Sequence, residues 1–277
     1  MTPAPTEAAV SKARGAADAG TPIIRISGLH KTYETNDGPL EALRAIDLDV
    51  RAGEFVSLVG PSGCGKSTLL HCIAGLIDFQ QGEVTVAGTP ARAGRVDIGI
   101  MLQSPVLFPW RTVINNVLLP AEVLKLDRAA ARVRAGELLE TVGLGGFEQK
   151  HTWELSGGMR QRASLVQALV ADPPVLLMDE PFSAVDEFTR ERLNGELATL
   201  HETLERTTVY VTHNMHEAVF LSDRIVAMKA QPGEVAEVID VDLPRPRRLS
   251  MQDTPRTAEL VSHVRSVLAP DLDKDAR

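Results

Sequence analysis

Short apolar runs recur along the chain, and each is bounded by glycine or by polar residues. The clearest of these runs are Phe55–Val59, Val175–Met178, Thr208–Thr212 and Arg224–Met228. Because apolar side chains fill consecutive positions, the runs predict strands that are buried on both faces. Helical spacing occurs between them, as at Ala131, Ala135, Leu138 and Val142. Buried strands that alternate with helices predict an α/β fold with a mostly parallel core sheet.

Two further features accompany this core. Ile23–Ile26 and Ala45–Val50, with a turn at Asn36–Pro39 between them, predict an antiparallel β edge. Helical patterns dominate between Val113 and Val142 and return from Gly157 to Val170, which predicts an α-helical subdomain at about residues 104–170. The remaining predicted elements are helices at Ser67–Ile77 and Asp186–Arg206 and short strands at Val84–Val86 and Ile98–Met101.

We expect one domain, residues 22–265, to hold all of these elements. Residues 1–21 are rich in Ala, Thr, Pro and Gly, which predicts a flexible N-terminal tail. Residues 266–277 end in a polar stretch and predict a C-terminal tail.

Composition and charge narrow the class of protein. With 44% hydrophobic and 24% charged residues in 277, the chain can bury a sizeable core. A net charge of −8 argues against a non-specific nucleic-acid binder. The longest stretch without a charged residue, Ile98–Trp110, is too short and too rich in proline to cross a bilayer. No signal peptide is expected, and Cys64 and Cys72 fit a reducing compartment, so we expect a cytosolic protein.

A glycine-rich segment follows the first buried strand and opens a helix. It reads Gly60, Pro61, Ser62, Gly63, Cys64, Gly65, Lys66, Ser67, with Thr68 next, and matches the phosphate-binding pattern G-x-x-x-x-G-K-[ST]. Its glycines let backbone N–H groups point inward, and the helix N-terminus adds positive potential for a phosphate. Lys66 can reach the β- and γ-phosphates, and the Ser67 hydroxyl can bind Mg²⁺. The alternative is a chance glycine-rich turn, which this strand–loop–helix context disfavours.

Two adjacent acids end the second buried strand. Asp179 and Glu180 follow Val175–Met178 directly. Because ligands bind at the carboxyl edge of parallel strands, these carboxylates are candidates for the same phosphate site. Asp179 would hold Mg²⁺, and Glu180 would polarise the attacking water as general base. The alternative is a pair of solvated loop acids.

A third motif narrows the class further. Leu155–Arg162 carries Ser156, Gly157 and Gly158 immediately before an apolar helix, which makes a second anion-binding helix terminus. With this motif in place, residues 22–265 resemble the ATP-binding cassette (ABC) ATPase family, of which Leu155–Arg162 would be the signature. The resemblance implies a P-loop NTPase cassette that binds ATP and Mg²⁺ and hydrolyses ATP.

Four more positions match the family in order. Gln103 resembles the Q-loop glutamine, which is also a Mg²⁺ ligand, and Ser183–Asp186 resembles the D-loop. His213 resembles the switch histidine, and Tyr33 the aromatic that stacks on adenine. Taken alone, Gln103 could be a surface amide, His213 a satisfied strand-end histidine and Tyr33 edge packing.

Three positions depart from the family pattern. Met159 stands where the commonest signature has glutamine, and a thioether cannot replace the hydrogen bonds of an amide. Val185 replaces the commoner leucine of the D-loop, and the apparent Asn36–Pro39 insertion bears on the position of the Tyr33 ring.

The resemblance also implies a dimer. In the family, two cassettes pack head to tail with two-fold symmetry, and each ATP is closed by the partner's signature. The γ-phosphate would bridge Lys66 of one chain and Ser156 and Gly158 of the other, with His213 contacting that phosphate. Hydrolysis would then open the dimer. Alkylation of Cys64 would block ATP binding through its bulk, unless this residue is only a small filler.

The segment after Gln103 suggests what the cassette drives. Ser104–Val113 includes Phe108 and Trp110, which either pack locally around a proline turn or line a groove for a permease. This segment, the signature and Thr212–Ala218 look like the nitrate, sulfonate and taurine importer branch. The branch implies membrane permease subunits that contact Gln103–Thr112, an extracytoplasmic solute-binding protein, and a peripheral position on the cytoplasmic face of the membrane. The permease and the solute-binding protein would determine which solute is transported.

The alternative function is a soluble ABC ATPase that is not coupled to transport. A DNA-repair type would insert a long coiled coil between Ser67 and Ser156, and no sustained heptads occur there. A translation-associated type usually carries two cassettes. The basic run Pro244–Arg248 would be a solvated loop or a contact with anionic lipid headgroups.

Overall fold

The computed structural model describes residues 22–183 and 185–272, which group into two compact units. The P-loop unit comprises residues 22–95 and 197–272, and the helical unit comprises residues 96–196. The predicted tail 1–21, Ala184 of the D-loop and residues 273–277 lie outside the described residues.

Strands and helices follow the chain in α/β order. The strands are β1 Pro22–Thr35, β2 Gly38–Arg51, β3 Phe55–Val59, β4 Gln81–Val86, β5 Thr89–Pro90, β6 Ile98–Met101, β7 Val175–Asp179, β8 Thr207–Val211, β9 Arg224–Lys229 and β10 Glu234–Asp240. The α-helices are α1 Lys66–Ile73, α2 Val113–Val117, α3 Leu119–Val123, α4 Arg128–Thr141, α5 Gly157–Leu169, α6 Glu187–Leu204, α7 Met215–Leu221 and α8 Pro255–Leu272. None of the helices in the described ranges is long and apolar enough to cross a membrane.

The P-loop unit contains the predicted antiparallel edge. Its first sheet has the order β2-β1-β4-β5, and all of its pairs are antiparallel. Thr35 pairs with Gly38, so Asn36 and Asp37 form the tip of a hairpin. The β1 strand reaches Thr35, well beyond the predicted end at Ile26, because the hairpin extends its pairing with β2.

A second group of strands places the phosphate loop. The order β10-β9-β3-β8 has β3 in its middle, parallel to both β8 and β9, while β10 is antiparallel to β9. All five side chains of β3 are buried, as are all five of β8, which confirms the strand type that their apolar runs predict.

The C-terminal helix extends beyond residue 265, the predicted end of the domain. The α8 helix continues to Leu272, and Leu260, Val261, Val264 and Leu268 pack in one cluster with Ile225 of β9 and Ile239 of β10. These positions follow helical spacing, so the apolar face of α8 is buried past the predicted boundary. Residues 266–268, predicted to lie in the C-terminal tail, are therefore part of this packed helix.

The basic run Pro244–Arg248 is solvated only in part: Pro244, Pro246 and Arg248 are exposed, whereas Arg245 and Arg247 make hydrogen bonds to the core. Arg247 is buried, and its guanidinium donates to the carbonyl oxygen of Ser222 over 2.6 Å. Arg245 pairs with Asp223 at 2.8 Å, and the Glu202 carboxylate accepts from the Arg247 backbone N–H at 2.7 Å. Burial lowers the pKa of Arg247 to about 10. Arg245 and Arg247 therefore anchor the segment between β10 and α8 to the core.

The helical unit contains one parallel strand pair and the insert. The β6 and β7 strands pair in parallel, with Met101 opposite Met178. Residues Ala131, Ala135, Leu138 and Val142 are all buried, which confirms the predicted stripe on α4. Parallel pairs in both units, the antiparallel edge and the helices between 113 and 169 confirm the α/β fold class.

Helix α1 is shorter than predicted. It ends at Ile73 rather than near Ile77, because Gly75 adopts a left-handed conformation with φ of 66°. A Cβ at Gly75 would lie 2.3 Å from the backbone of Arg92, so the chain turns there over a close backbone contact.

Candidate functional site

The phosphate loop curls between β3 and α1 in the P-loop unit. Gly63 and Gly65 have φ of 76° and 90°, in the left-handed region that favours glycine. A Cβ at Gly60 would lie 2.5 Å from the Met228 carbonyl oxygen, so this position has room only for glycine. The loop therefore has the tight backbone that a phosphate cradle requires, at the N-terminus of an eight-residue helix.

Lys66 points its ammonium into this loop. The side chain is buried, and Nζ donates to the carbonyl oxygens of Gly60 at 2.8 Å and Pro61 at 2.9 Å. The Cys64 sulfur lies 3.6 Å from the same nitrogen. Burial raises the pKa of the Cys64 thiol, while the neighbouring Lys66 charge opposes that rise. A positive charge held inside a glycine-rich curl is suited to binding the oxygens of a polyphosphate.

Gly233 supports the loop from a distant part of the sequence. Its N–H donates to the Ala42 carbonyl oxygen at 3.1 Å, and its own carbonyl accepts from the Arg44 N–H at 2.9 Å. A Cβ on Gly233 would lie 2.3 Å from the Cys64 carbonyl oxygen. Sequence reasoning missed this residue, because a lone glycine far from the motif carries no local signal.

Tyr33 lies beside the helix that follows the loop. Its hydroxyl is 3.4 Å from the Thr68 hydroxyl on α1, and the Lys31 ammonium is 4.7 Å from the centroid of its ring. The hairpin at Asn36–Asp37 keeps Tyr33 in register opposite Leu40. The structure therefore brings Tyr33 to the P-loop helix, and its stacking on adenine stays a prediction.

His213 leaves the same sheet edge as the phosphate loop. It follows β8, which runs parallel to β3, and the Thr212 N–H donates to the Leu58 carbonyl oxygen at 3.2 Å. The flanking Thr212 hydroxyl is 2.6 Å from the buried carboxylate of Glu217. Asn214 caps α7 by accepting from the backbone N–H of His216 at 2.9 Å. Both neighbours of His213 are thus fixed by hydrogen bonds.

Three predicted residues meet at the carboxyl edge of β6 and β7 in the helical unit. Asp179 ends β7 and is buried, and Glu180 follows it with φ of 43°. Gln103 follows the parallel strand β6, and its Nε2 is 3.4 Å from Oε2 of Glu180. A left-handed glutamate is unusual backbone geometry, of the kind found at functional sites. The structure therefore places the Q-loop amide against the candidate base.

The signature forms the N-terminus of α5. Ser156 is the N-cap, and its hydroxyl accepts from the Met159 backbone N–H at 3.3 Å. Arg160 donates to the Leu155 carbonyl oxygen at 2.7 Å, which fixes the residue before the cap. Gln161 is buried, and its Nε2 lies 3.5 Å from the Gln103 carbonyl oxygen. Met159 takes part through its backbone N–H, which any residue except proline would supply.

The D-loop aspartate caps the next helix. Asp186 accepts from the Thr189 backbone N–H at 3.0 Å and from the Thr189 hydroxyl at 2.7 Å. The Thr189 hydroxyl is the main cause of a lowered pKa for the Asp186 carboxyl. An acidic N-cap also suits the positive end of the helix dipole.

The segment after Gln103 exposes an aromatic pair. The rings of Phe108 and Trp110 stack at 4.8 Å, and Trp110 remains 71% exposed. Asn116 is buried beneath them: its Oδ1 accepts from the Phe108 N–H at 2.7 Å, and its Nδ2 donates to the carbonyl oxygens of Phe108, Arg111 and Thr112. Trp110 is therefore exposed on a loop that Asn116 braces, and its contact with a permease stays a prediction.

The residues predicted to hold Mg²⁺ suit that ion. Ser67, Gln103 and Asp179 offer a hydroxyl, an amide oxygen and a carboxylate, and Mg²⁺ prefers hard oxygen ligands of this kind. Among the described residues, no group of three or more His, Cys, Asp or Glu side chains could hold a metal.

Comparison with known proteins gives consistent matches over most of the chain. A family model described as ABC transporter matches residues 43–183. An uncharacterized ABC transporter ATP-binding protein of Methanocaldococcus jannaschii is 41% identical over 81% of this chain and 84% of its own length. The aliphatic sulfonates import ATP-binding protein SsuB of Bacillus licheniformis is 42% identical over 81% of this chain and 86% of its own length.

Solved structures give the same result. A dimeric bacterial ABC transporter cassette aligns with a TM-score of 0.71 and 32% identity, covering 80% of this chain and all of that one. The same cassette is also known as a dimer in a post-hydrolysis state bound to ADP and Pi. A cassette from Clostridium perfringens, part of the cbiONQ ABC transporter complex, aligns with a TM-score of 0.70 and 27% identity, covering 79% of this chain and 89% of that one.

Proposed function

Because this chain belongs to the ABC transporter family, we propose that it is the ATP-binding and ATP-hydrolysing subunit of an importer for a small solute. The observation that carries the proposal is the tight curl of residues 60–65, with glycine at positions 60, 63 and 65, around the Lys66 ammonium. Nitrate, sulfonates, taurine and similar small solutes are the solute class, as the branch motifs and the similarity to sulfonate import ATP-binding proteins suggest.

Each predicted site residue has a distinct role in this proposal. The backbone N–H groups of residues 62–68 and the Lys66 ammonium bind the phosphates of ATP, and Tyr33 stacks on the base. Glu180 accepts the proton of the attacking water, and its contact with Gln103 orients it. His213 contacts the γ-phosphate. Ser67, Gln103 and Asp179 would hold Mg²⁺, which would supply positive charge beside the phosphates.

The working form in this proposal is a head-to-tail homodimer. The solved dimeric cassette that this chain resembles supports that arrangement. Ser156, Gly157 and Gly158 of one copy close over the ATP of the other, and their free N–H groups at the start of α5 suit the γ-phosphate. The N-terminus of α6, which Asp186 caps, takes part in the same dimer interface.

The partner of the exposed loop is a membrane permease. Trp110 projects from a loop that directly follows Gln103, so a partner seated at residues 103–112 also touches the segment that contacts Glu180. Through the permease the subunit would sit peripherally on the cytoplasmic face of the membrane. An extracytoplasmic solute-binding protein would deliver the solute to that permease without contacting this chain.

The ATPase proposal is tested with Glu180→Gln. Replacing the general base is expected to lower phosphate release by about 10²–10⁴-fold while ATP binding persists. Glu191→Gln, which neutralises an exposed carboxylate elsewhere in the helical unit, is the matched control and is expected to retain wild-type turnover. Near-wild-type phosphate release by Glu180→Gln would refute the assignment of the base.

The importer proposal needs a second experiment. The chain is co-expressed with candidate permease subunits, reconstituted in liposomes with the binding protein, and assayed for ATP turnover with nitrate, taurine or an alkanesulfonate. Stimulation by one of these solutes is expected. Active ATP turnover with no response to any permease would instead favour an ABC ATPase that is not coupled to transport.

A further inference from the structure

One side chain in the helical unit contacts both the signature and the D-loop. Thr189 lies in the first turn of α6, and its hydroxyl donates to Oδ2 of Asp186 over 2.7 Å. Its Cγ2 methyl faces Gly158, since a Cβ built on that glycine would lie 2.9 Å from it. The polar branch of Thr189 therefore holds the D-loop, and the apolar branch abuts the signature.

Gly158 permits this close approach. The same hypothetical Cβ would lie 3.9 Å from Cγ1 of Val185, so the first turn of α5 packs against both the D-loop and the start of α6. Gly157, in contrast, has no heavy atom within 4 Å of its own hypothetical Cβ. The two signature glycines thus differ: Gly158 is required for a contact inside the chain, while Gly157 borders open space.

The two contacts of Thr189 are coupled because the threonine side chain has a restricted χ1 torsion. Thr189 is β-branched, so its hydroxyl and methyl leave one Cβ and turn together about a single restricted torsion. Rotation that withdraws the hydroxyl from Asp186 also withdraws the methyl from Gly158. A shift of the signature is therefore tied to the hydrogen bond that fixes the D-loop aspartate.

We propose that Thr189 is a positioning residue that couples the phosphate-binding signature to the D-loop within one chain. The inference rests on the proposed function, because it assigns Thr189 a part in the ATP-driven closure of the dimer. The hydroxyl fixes Asp186 for turnover, and the methyl sets the depth at which Gly158 presents the helix terminus to phosphate.

Two variants remove the branches one at a time. Thr189→Val keeps a methyl against Gly158 and deletes the hydroxyl, so we expect kcat for ATP to fall about tenfold with KM little changed. Thr189→Ser keeps the hydroxyl and deletes the methyl, so we expect KM for ATP to rise about threefold or more with kcat little changed. Thr203→Val and Thr203→Ser, at an exposed position of the same helix, are matched controls and should leave both constants unchanged.

The measurements are steady-state phosphate release by the full chain and thermal unfolding of each variant. Opposite effects of the two Thr189 variants on kcat and KM support the proposal, because a merely structural role would lower activity in step with stability. Wild-type kcat and KM in both variants, or equal losses that follow the melting temperature, overturn it.

A double-mutant cycle tests the coupling directly. If the hydroxyl acts through Asp186, Thr189→Val should change kcat little further in an Asp186→Ala background, whereas full additivity would contradict the coupling. The proposed function has a separate readout: if the wild-type chain does not hydrolyse ATP, the ATPase proposal itself fails, independently of Thr189.

Discussion

Nε2 of Gln103 donates to Oε2 of Glu180 over 3.4 Å, which joins the Q-loop to the candidate general base. The two residues are far apart in sequence, and parallel pairing of β6 with β7 brings them to one sheet edge. The loop that exposes Trp110 begins directly after Gln103. A displacement of that loop therefore has a short covalent path to the carboxylate that activates water.

This contact predicts a charge-specific defect in Gln103→Glu. A second carboxylate beside Glu180 would repel it, so we expect kcat to fall about tenfold, more than in Gln103→Ala. Salt screens repulsion between exposed charges, so raising the ionic strength should partly restore Gln103→Glu and leave Gln103→Ala unaffected. Phosphate release over a range of salt concentrations measures both effects. Equal, salt-independent losses in the two variants would contradict the predicted repulsion.

Gly233 lies outside the motifs described above, and Gly233→Ala should nevertheless weaken ATP binding. The added methyl would lie 2.3 Å from the Cys64 carbonyl oxygen, so the phosphate loop must shift. We expect the dissociation constant for ATP to rise at least about tenfold, measured by titration calorimetry. Gly136→Ala is the control, because its Cβ has no heavy atom within 4 Å and it lies inside α4. That change should leave ATP affinity intact and raise stability by about 1 kcal/mol.

Alkylation of the phosphate loop should be slow and should accelerate with pH. Cys64 is fully buried, and burial raises the pKa of its thiol, so little thiolate is present near neutral pH. We expect N-ethylmaleimide to inactivate the ATPase slowly at pH 7 and faster at pH 9, with ATP protecting. Cys64→Ser should resist inactivation, while Cys72, whose pKa is raised to about 11, should react later. Rapid, pH-independent inactivation would contradict this prediction.

His201 should make the folded protein less stable as the solution becomes acidic. Burial lowers the pKa of His201 to about 4, and its ring packs edge-on against Phe55 at 5.1 Å. The unfolded chain, with a histidine pKa near 6.5, binds the proton more readily, so stability is lost as the pH falls from about 6.5 to 4. The loss is about 3 kcal/mol for a shift of this size. Urea unfolding of His201→Leu should lack this slope, and the exposed His216→Ala should retain it.

The sequence was sufficient wherever a function depends on a local backbone shape. The curl from Gly60 to Ser67 is predictable from the sequence, because its glycines and the start of the helix lie next to one another along the chain. The apolar strands before Gln103, Asp179 and His213 likewise predicted that these residues leave the carboxyl edges of strands, and the structure has them there. Such features need no knowledge of what packs against them.

Features that depend on distant partners escaped prediction. Arg245 and Arg247 looked like surface charges because Asp223 and Glu202, which receive their hydrogen bonds, lie elsewhere in the chain. Gly233 had no signal at all, since only the fold brings it to Cys64. The end of α8 was different: Val264 and Leu268 stand at helical spacing, and following that periodicity past residue 265 would have placed the helix correctly.

The four hydrogen bonds that Asn116 makes to residues 108–112 have a thermodynamic consequence for assembly. Ordering a flexible loop of this length on binding would cost several kcal/mol of backbone entropy, at about 1–2 kcal/mol per residue. Here that cost is already met during folding of the isolated chain. A protein that docks on Trp110 would therefore meet a preformed surface, and its affinity would be set by shape and chemistry rather than by the capture of a moving segment.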